Sequence, residues 1–155
     1  MTFIPMNLQE ITEQAAQPKG TYELQITGAV VQESGANSKH PGTPMIRFSL
    51  GFSDLELNAS GFSHFMVFPY AGQTEYLNLT QLGIKRFLTH FQIPFSDEGL
   101  DTEVLAFEAI GKVAICNVDM TEPNDNGDIY NKLGYLPKLR SESAGQSSPP
   151  SKKRR

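Results

Sequence analysis

A chain of 155 residues with 39% hydrophobic and 19% charged side chains has the make-up of one globular domain, which excludes collagen-like, low-complexity and disulfide-stapled classes. Its net charge of −4 conceals an imbalance: residues 141–155 hold four of the thirteen basic side chains, leaving nine basic against sixteen acidic in residues 1–140, so the broadly basic face of an ordinary DNA-binding domain is excluded. The single cysteine, Cys116, forms no internal disulfide, no apolar run reaches the ~20 residues of a membrane span, and the N-terminus has no basic-then-apolar leader; a reducing, cytoplasmic setting without a membrane partner is expected.

Residues 1–18 contain one short amphipathic stretch, Leu8, Ile11 and Ala15, stopped by Pro18, and are expected to form an arm with a weak helix. The first strand follows Lys19 and Gly20. Tyr22, Leu24 and Ile26 alternate with Glu23, Gln25 and Thr27, and Gly28 shifts the alternation to Val30, which predicts a bulge. Residues 34–43, SGANSKHPGT, compose a loop. Residues 45–52 predict a second strand with Ile46, Phe48, Leu50 and Phe52 on one side and Arg47, Ser49 and Gly51 on the other. Residues 61–70, GFSHFMVFPY, predict a third strand that is apolar on both faces. Phe65 and Val67 are expected in the core, which leaves Phe62, Met66, Phe68 and Tyr70 as a second row to be covered by a helix, a partner or a stacked base.

The period then changes. Asn78 and Gln81 have the spacing of a capping box, and Leu79, Leu82, Ile84, Phe87, Leu88 and Phe91 recur at helical intervals. These predict a helix ending near Pro94, with Lys85 and Arg86 solvated. An acidic loop at 97–103 and a short apolar turn at 104–107 lead to a fourth strand at 112–120 and a fifth at 129–136, joined by a turn carrying Asn126 and Gly127. Three strands, one helix and two strands is the order of the five-stranded Greek-key β-barrel called the OB-fold. That fold binds single strands or oligosaccharides over strands two and three, between the loops after strands one and four. The expected division is an arm at 1–18, the barrel domain at 19–140 and a disordered basic tail at 141–155.

The runs PKGTYELQITGAVVQESG, GTPMIRFSLGF, LTQLGIKRFLTHFQIP and GKVAICNVDMTEPNDNGDIYNKLGYLP, covering roughly residues 18–139, resemble phage-encoded single-stranded DNA-binding and recombination-associated proteins. The resemblance implies an OB-fold core that coats single-stranded DNA during phage replication or recombination in the host cytoplasm. Replication or recombination proteins, and further copies of the chain, are candidate partners beside single-stranded DNA. The chain departs from that pattern at its end, where Lys152, Lys153, Arg154 and Arg155 replace the acidic tail common in such proteins. A phosphate-contacting tail, a localisation-like patch and a solubilising end all remain open for it.

On this expectation, bases stack on aromatics of strands two, three and five, with Phe62, Phe68, Tyr70 and Tyr130 as candidates, while Lys39, Arg47, Lys112 and Lys132 follow the phosphates. Core packing is the plainer role for each aromatic, and solvation for each cation. Tyr135 falls with Ile129 and Leu133 on the face expected to be buried, and His64 is expected to be structural or merely exposed. RNA is a second candidate ligand. No catalytic residue, cofactor or metal is expected: His40, His64, His90 and Cys116 lack ligand spacing, Gly-x-x-x-x-Gly-Lys is absent, and EPNDNGD at 122–128 places Leu133 where a calcium loop needs a glutamate. The alternative class is a protein-interaction module whose exposed aromatic row seats a partner or a second copy, which the acidic body favours; a nuclease or other replication enzyme comes third.

Overall fold

Alternation of apolar and polar side chains builds five strands within residues 2–139, which the computed structural model describes; Arg140 and the tail expected at 141–155 lie outside the described residues. The strands are β1 (Gly20–Glu33), β2 (Pro44–Phe52), β3 (Phe62–Val67), β4 (Val113–Met120) and β5 (Asn131–Leu133). All pairings are antiparallel, in the order β3-β2-β1-β4-β5. β5 returns beside β3 without a hydrogen-bonded ladder, so the sheet curls into a nearly closed barrel, consistent with an OB-like barrel. Two α-helices, where one was expected, lie between β3 and β4 in the chain: α1 (Leu77–His90) and α2 (Thr102–Ala109).

β1 serves both halves of the barrel. Its first part pairs with β4 and its last part with β2, and the register slips between Ile26 and Gly28, where the alternation breaks in sequence. The extra residue bends the strand, which lets one strand belong to two walls. The inward row is apolar and continuous: Leu24 and Ile26, then Ile46, Phe48, Leu50 and Phe52, Met66, and Cys116 and Val118 are all buried. α1 buries Phe87 and Leu88 in this core, and Phe91, its C-cap residue, joins them. The Phe87 ring stacks 4.8 Å from Phe48 and lies 4.8 Å from Phe91. Each fully buried ring of this kind contributes about 1.5–3 kcal/mol by burial alone.

The helix ends differ from those the sequence suggests. The Asn78–Gln81 pair does not cap α1; Tyr76 takes the N-cap position with φ 56° and no side-chain cap. The Thr80 N–H reaches the Tyr76 carbonyl at 2.9 Å, which places Asn78 inside the first turn. The apolar turn expected at 104–107 is instead the middle of α2, capped by Asp101, whose Oδ1 accepts from the Glu103 and Val104 N–H groups at 3.0 and 3.2 Å. Leu105, Ala106 and Ala109 face the core, while Val104 and Phe107 are exposed. With apolar residues on both sides, the helix carries little amphipathic signal.

β3 and β5 are shorter than the runs 61–70 and 129–136. Pro69 lacks an N–H and restricts Phe68, so β3 ends at Val67. The arm contributes one 3-10 turn, Leu8–Glu10, and is then tied to the barrel. Ala15 bridges Ala59, Asn58 Nδ2 donates to Thr12 Oγ1 and the Glu13 carbonyl, and the buried Asn131 exchanges two 2.8 Å hydrogen bonds with the Gln17 backbone.

Close packing before β3 leaves no room for a side chain at Gly61, where a Cβ would sit 2.7 Å from the Leu50 carbonyl oxygen. Gly61→Ala is expected to destabilise the fold by about 1–3 kcal/mol, as overpacking does. Gly83→Ala, in the middle of α1 with nothing within 4 Å of the added methyl, is expected to stabilise it by up to about 1 kcal/mol. Urea denaturation of both variants checks the pair, and equal midpoints would contradict the packing described.

Candidate functional site

Pairing parity decides which apolar side chains of β3 meet water. Phe62, His64 and Met66 stand opposite Leu50, Phe48 and Ile46, all three of them buried, and point inward with them. Phe65 and Val67 stand opposite Arg47 and Met45 and are 48% and 46% exposed. The core row and the surface row expected for this strand are therefore exchanged. Met66 is buried, Phe62 packs against the core 5.9 Å from Phe52, and Phe68 is half-buried against the same cluster. The cause is α1: the Phe87 ring lies parallel to His64 at 5.1 Å and 4°, which holds the even-numbered side chains inside.

The outer face of β1, β2 and β3 then carries three cross-strand rows. Val30, Arg47 and Phe65 form the middle one, flanked by Gln32, Met45 and Val67 and by Gly28, Ser49 and Ser63. Among the described residues no carboxylate pairs with Arg47. A guanidinium beside an exposed ring offers charge, hydrogen-bond donors and a stacking plane together.

Beyond this face, the seam where β5 fails to pair with β3 opens into a groove of about 750 Å³. Phe65 and Val67 line one side, Ser38 and His40 of the β1–β2 loop the rim, Thr80 and Arg86 of α1 the floor, and Tyr135 the far wall. No Asp or Glu lines it among the described residues, in a chain with seventeen of them. The loop is organised by its own hydroxyls: Ser34 Oγ and Thr43 Oγ1 both donate to the His40 carbonyl, at 2.7 and 2.6 Å. His40 thereby stacks on Tyr70 at 3.6 Å and 9°, so one face of the Tyr70 ring is already occupied. Lys39 stands exposed beside His40.

The remaining candidates lie elsewhere. Lys112 heads β4 and borders a separate depression with Phe107 and Glu108. Tyr130 is exposed at the end of the β4–β5 connection, and Lys132 stands opposite Asp119, which also pairs with Lys19 at 3.6 Å. None of these three lines the groove. Tyr135, expected to be buried, is 91% exposed, because the β5 ladder ends at Leu133 and its alternation does not reach residue 135. Arg86, expected to be solvated, is half-buried with its Nε enclosed. Of the groups that sequence reasoning missed, Phe65 had no signal of its own, because both rows of β3 are apolar and only its pairing with Arg47 places it outside. The small residues Thr80 and Gly83, spaced by three ahead of Arg86, were the available sign of a groove-facing helix edge.

Two titratable groups are shifted by burial. Desolvation pushes the Cys116 thiol up to about 11, which keeps it protonated and unreactive. Desolvation also lowers the His64 imidazolium from its ordinary value of 6.5. Among the described residues no three His, Cys, Asp or Glu side chains gather as metal ligands do, and no helix is long and apolar enough to cross a membrane. A scan against protein-family models finds no match, and a search of curated proteins finds none either.

Because the folded pKa of His64 is depressed, the unfolded chain takes up its proton first as pH falls. Stability from this site is complete above 6.5 and is lost as pH drops below it. Chemical denaturation between about pH 7.5 and pH 5.5 is expected to show that loss in the native chain and a smaller one in His64→Phe, which keeps the stack on Phe87 and cannot titrate. Identical pH profiles would remove His64 as the cause.

Proposed function

We propose that this chain is a non-enzymatic, sequence-tolerant single-stranded DNA-binding protein of the phage replication or recombination type, built on an OB-fold with Greek-key connections. The observation that carries this is the Arg47–Phe65 pair, an unpaired guanidinium beside a half-exposed ring on the outer face of β2 and β3. The neighbouring groove adds support, since no carboxylate lines it among the described residues of a chain whose first 140 residues are strongly acidic. The strand order, the bent β1 and the paired loops around β2 and β3 suit the barrel proposed.

In the proposed mechanism a base stacks on Phe65 with Val30, Met45 and Val67 as apolar surroundings, and Arg47 holds the adjacent phosphate or caps the base plane. Lys39 and the His40–Tyr70 pair form one rim and Tyr135 the other. Lys112, Tyr130 and Lys132 lie off this path. RNA presents the same phosphates and bases and remains the second ligand to be compared. The Cys116 thiol, held protonated, offers no nucleophile.

A protein-interaction role is favoured by one specific observation away from the groove. Val104, Phe107 and Ile110 in and just after α2, and Val113 and Ile115 of β4, are all exposed apolar side chains. Exposed apolar area of that kind marks a docking surface. Replication or recombination proteins, or a second copy of the chain, are its candidate occupants, and they are compatible with single-strand binding on the opposite wall of β1.

Fluorescence titration of the full chain with oligo(dT) is expected to show binding that weakens with salt. Phe65→Ala should reduce affinity by roughly 5- to 160-fold, the range of one stacked base at about 1–3 kcal/mol, and leave Tm unchanged. Arg47→Gln should lower the logarithmic salt slope by about 0.7, the value of one phosphate on a single strand. Phe62→Ala should do the reverse, lowering Tm while the folded fraction binds normally. Absence of wild-type binding at low salt would contradict the proposal.

A further inference from the structure

We infer that Arg86 is a phosphate seat: it holds one oxyanion at the floor of the seam groove and passes the chain of phosphates to a basic shelf on the outside of α1. This rests on the single-strand reading for the identity of the polymer, though the oxyanion chemistry of the site stands on its own geometry.

Arg86 immediately precedes Phe87, and the packing of Phe87 on Phe48 and His64 turns that edge of α1 toward the seam. The Arg86 side chain is half-buried, and its Nε is fully enclosed with no hydrogen-bond partner among the described residues. A guanidinium in this position ordinarily meets a carboxylate. Here none lines the groove, and Lys19–Asp119 is the ion pair found among the described residues. With Nε enclosed, the donors left to meet a ligand in the groove are those of the two terminal nitrogens, and a charged group without an acceptor is costly until a ligand supplies one. Arginine suits phosphate because its planar fork presents two parallel donors to two oxygens.

The surroundings fit the same ligand. Arg86 is the sole Arg, Lys, Asp or Glu among the groove's described lining residues, so the field inside has one sign. Thr80, six residues earlier on α1, also lines the groove and adds a hydroxyl donor, while Gly83 between them leaves open space above the backbone. On its other side Arg86 borders a second concavity with Lys85, His90 and Lys138, again without a carboxylate among the described residues. Three fixed positive charges thus run from the groove floor over α1, on a body that is acidic elsewhere. This is a local basic stripe of the kind that an acidic single-strand binder needs, and it lies on the helix rather than on the Arg47 face.

The test uses the full chain, Arg86→Met, which retains the apolar stem, and Arg86→Lys, which keeps the charge without the fork. Three readouts are taken: oligo(dT) affinity across salt, the Tm, and the Arg86 Nε–H resonance during additions of oligo(dT), thymidine monophosphate and inorganic phosphate. Arg86→Met is expected to lose about tenfold in oligo(dT) affinity and about 0.7 in logarithmic salt slope, with Tm unchanged or raised. Arg86→Lys should recover the slope and only part of the affinity. The Nε–H resonance should move with each phosphate ligand, and a response to oligo(dT) far below the concentrations of the monophosphates marks the polymer as the natural source. Wild-type binding of oligo(dT) with an unaltered Arg86→Met curve overturns the phosphate seat and leaves the Phe65 platform standing. No oligo(dT) binding by the wild type overturns the single-strand reading instead; the seat is then upheld by an Nε–H response to inorganic phosphate and refuted by silence. A loss of Tm in Arg86→Met with an unresponsive Nε–H would make the residue structural and also refute the seat.

Discussion

The packing of Phe87 against the inner rows of β2 and β3 determines which side of those strands meets water. Its ring is shared between Phe48 and His64, at 4.8 and 5.1 Å. Once His64 is held inward, the two-residue period of a strand leaves Phe65 and Val67 no choice but the outer face. The antiparallel register then sets Phe65 opposite Arg47. The same contact orients α1, so that Arg86, one residue earlier, is delivered to the seam rather than to open solvent. A single aromatic cluster in the core therefore positions both the ring and the two guanidiniums proposed to meet the ligand, and none of the three touches another in sequence.

Much of the architecture was legible because it depends on local pattern. The alternation of β1, its break at Gly28, the inward row Ile46, Phe48, Leu50 and Phe52 of β2, and the helical stripe through Phe87 and Phe91 all appear in the structure as the sequence suggests. The facing of β3 was not legible. Both of its rows are apolar, so burial of either one was equally consistent with the sequence, and only the tertiary contact from α1 separates them. α2 was missed for a related reason: a helix with Val104 and Phe107 outside and Leu105, Ala106 and Ala109 inside has no clear polar side to betray its period. At Tyr135 the error came from extending an alternation past the last paired residue of β5.

The acidic balance of the chain also takes a different meaning once charge is placed in space. Sixteen acids against nine bases over 140 residues speaks against a basic face, yet says nothing about where each sign gathers. Among the described residues, carboxylates are missing from both concavities that Arg86 borders, and Arg47 has none as a partner. Repulsion from the rest of the surface weakens long-range attraction of a polyanion and leaves specificity of place to these few cations. On the proposed function, stacking on Phe65 then carries a larger share of the affinity than in a basic single-strand binder, and the dependence on salt is correspondingly shallow.

Amide chemical-shift mapping of the full-length chain with oligo(dT) tests the proposed path most directly, because it reports every backbone position at once. Perturbations are expected at 45–47 and 63–67, at 38–40 of the β1–β2 loop, around residue 86 of α1 and at 135, with residues 104–113 unaffected. Perturbations confined to 104–113, or a spectrum that does not change at low salt, would contradict a single-strand site built on the outer face of β2 and β3.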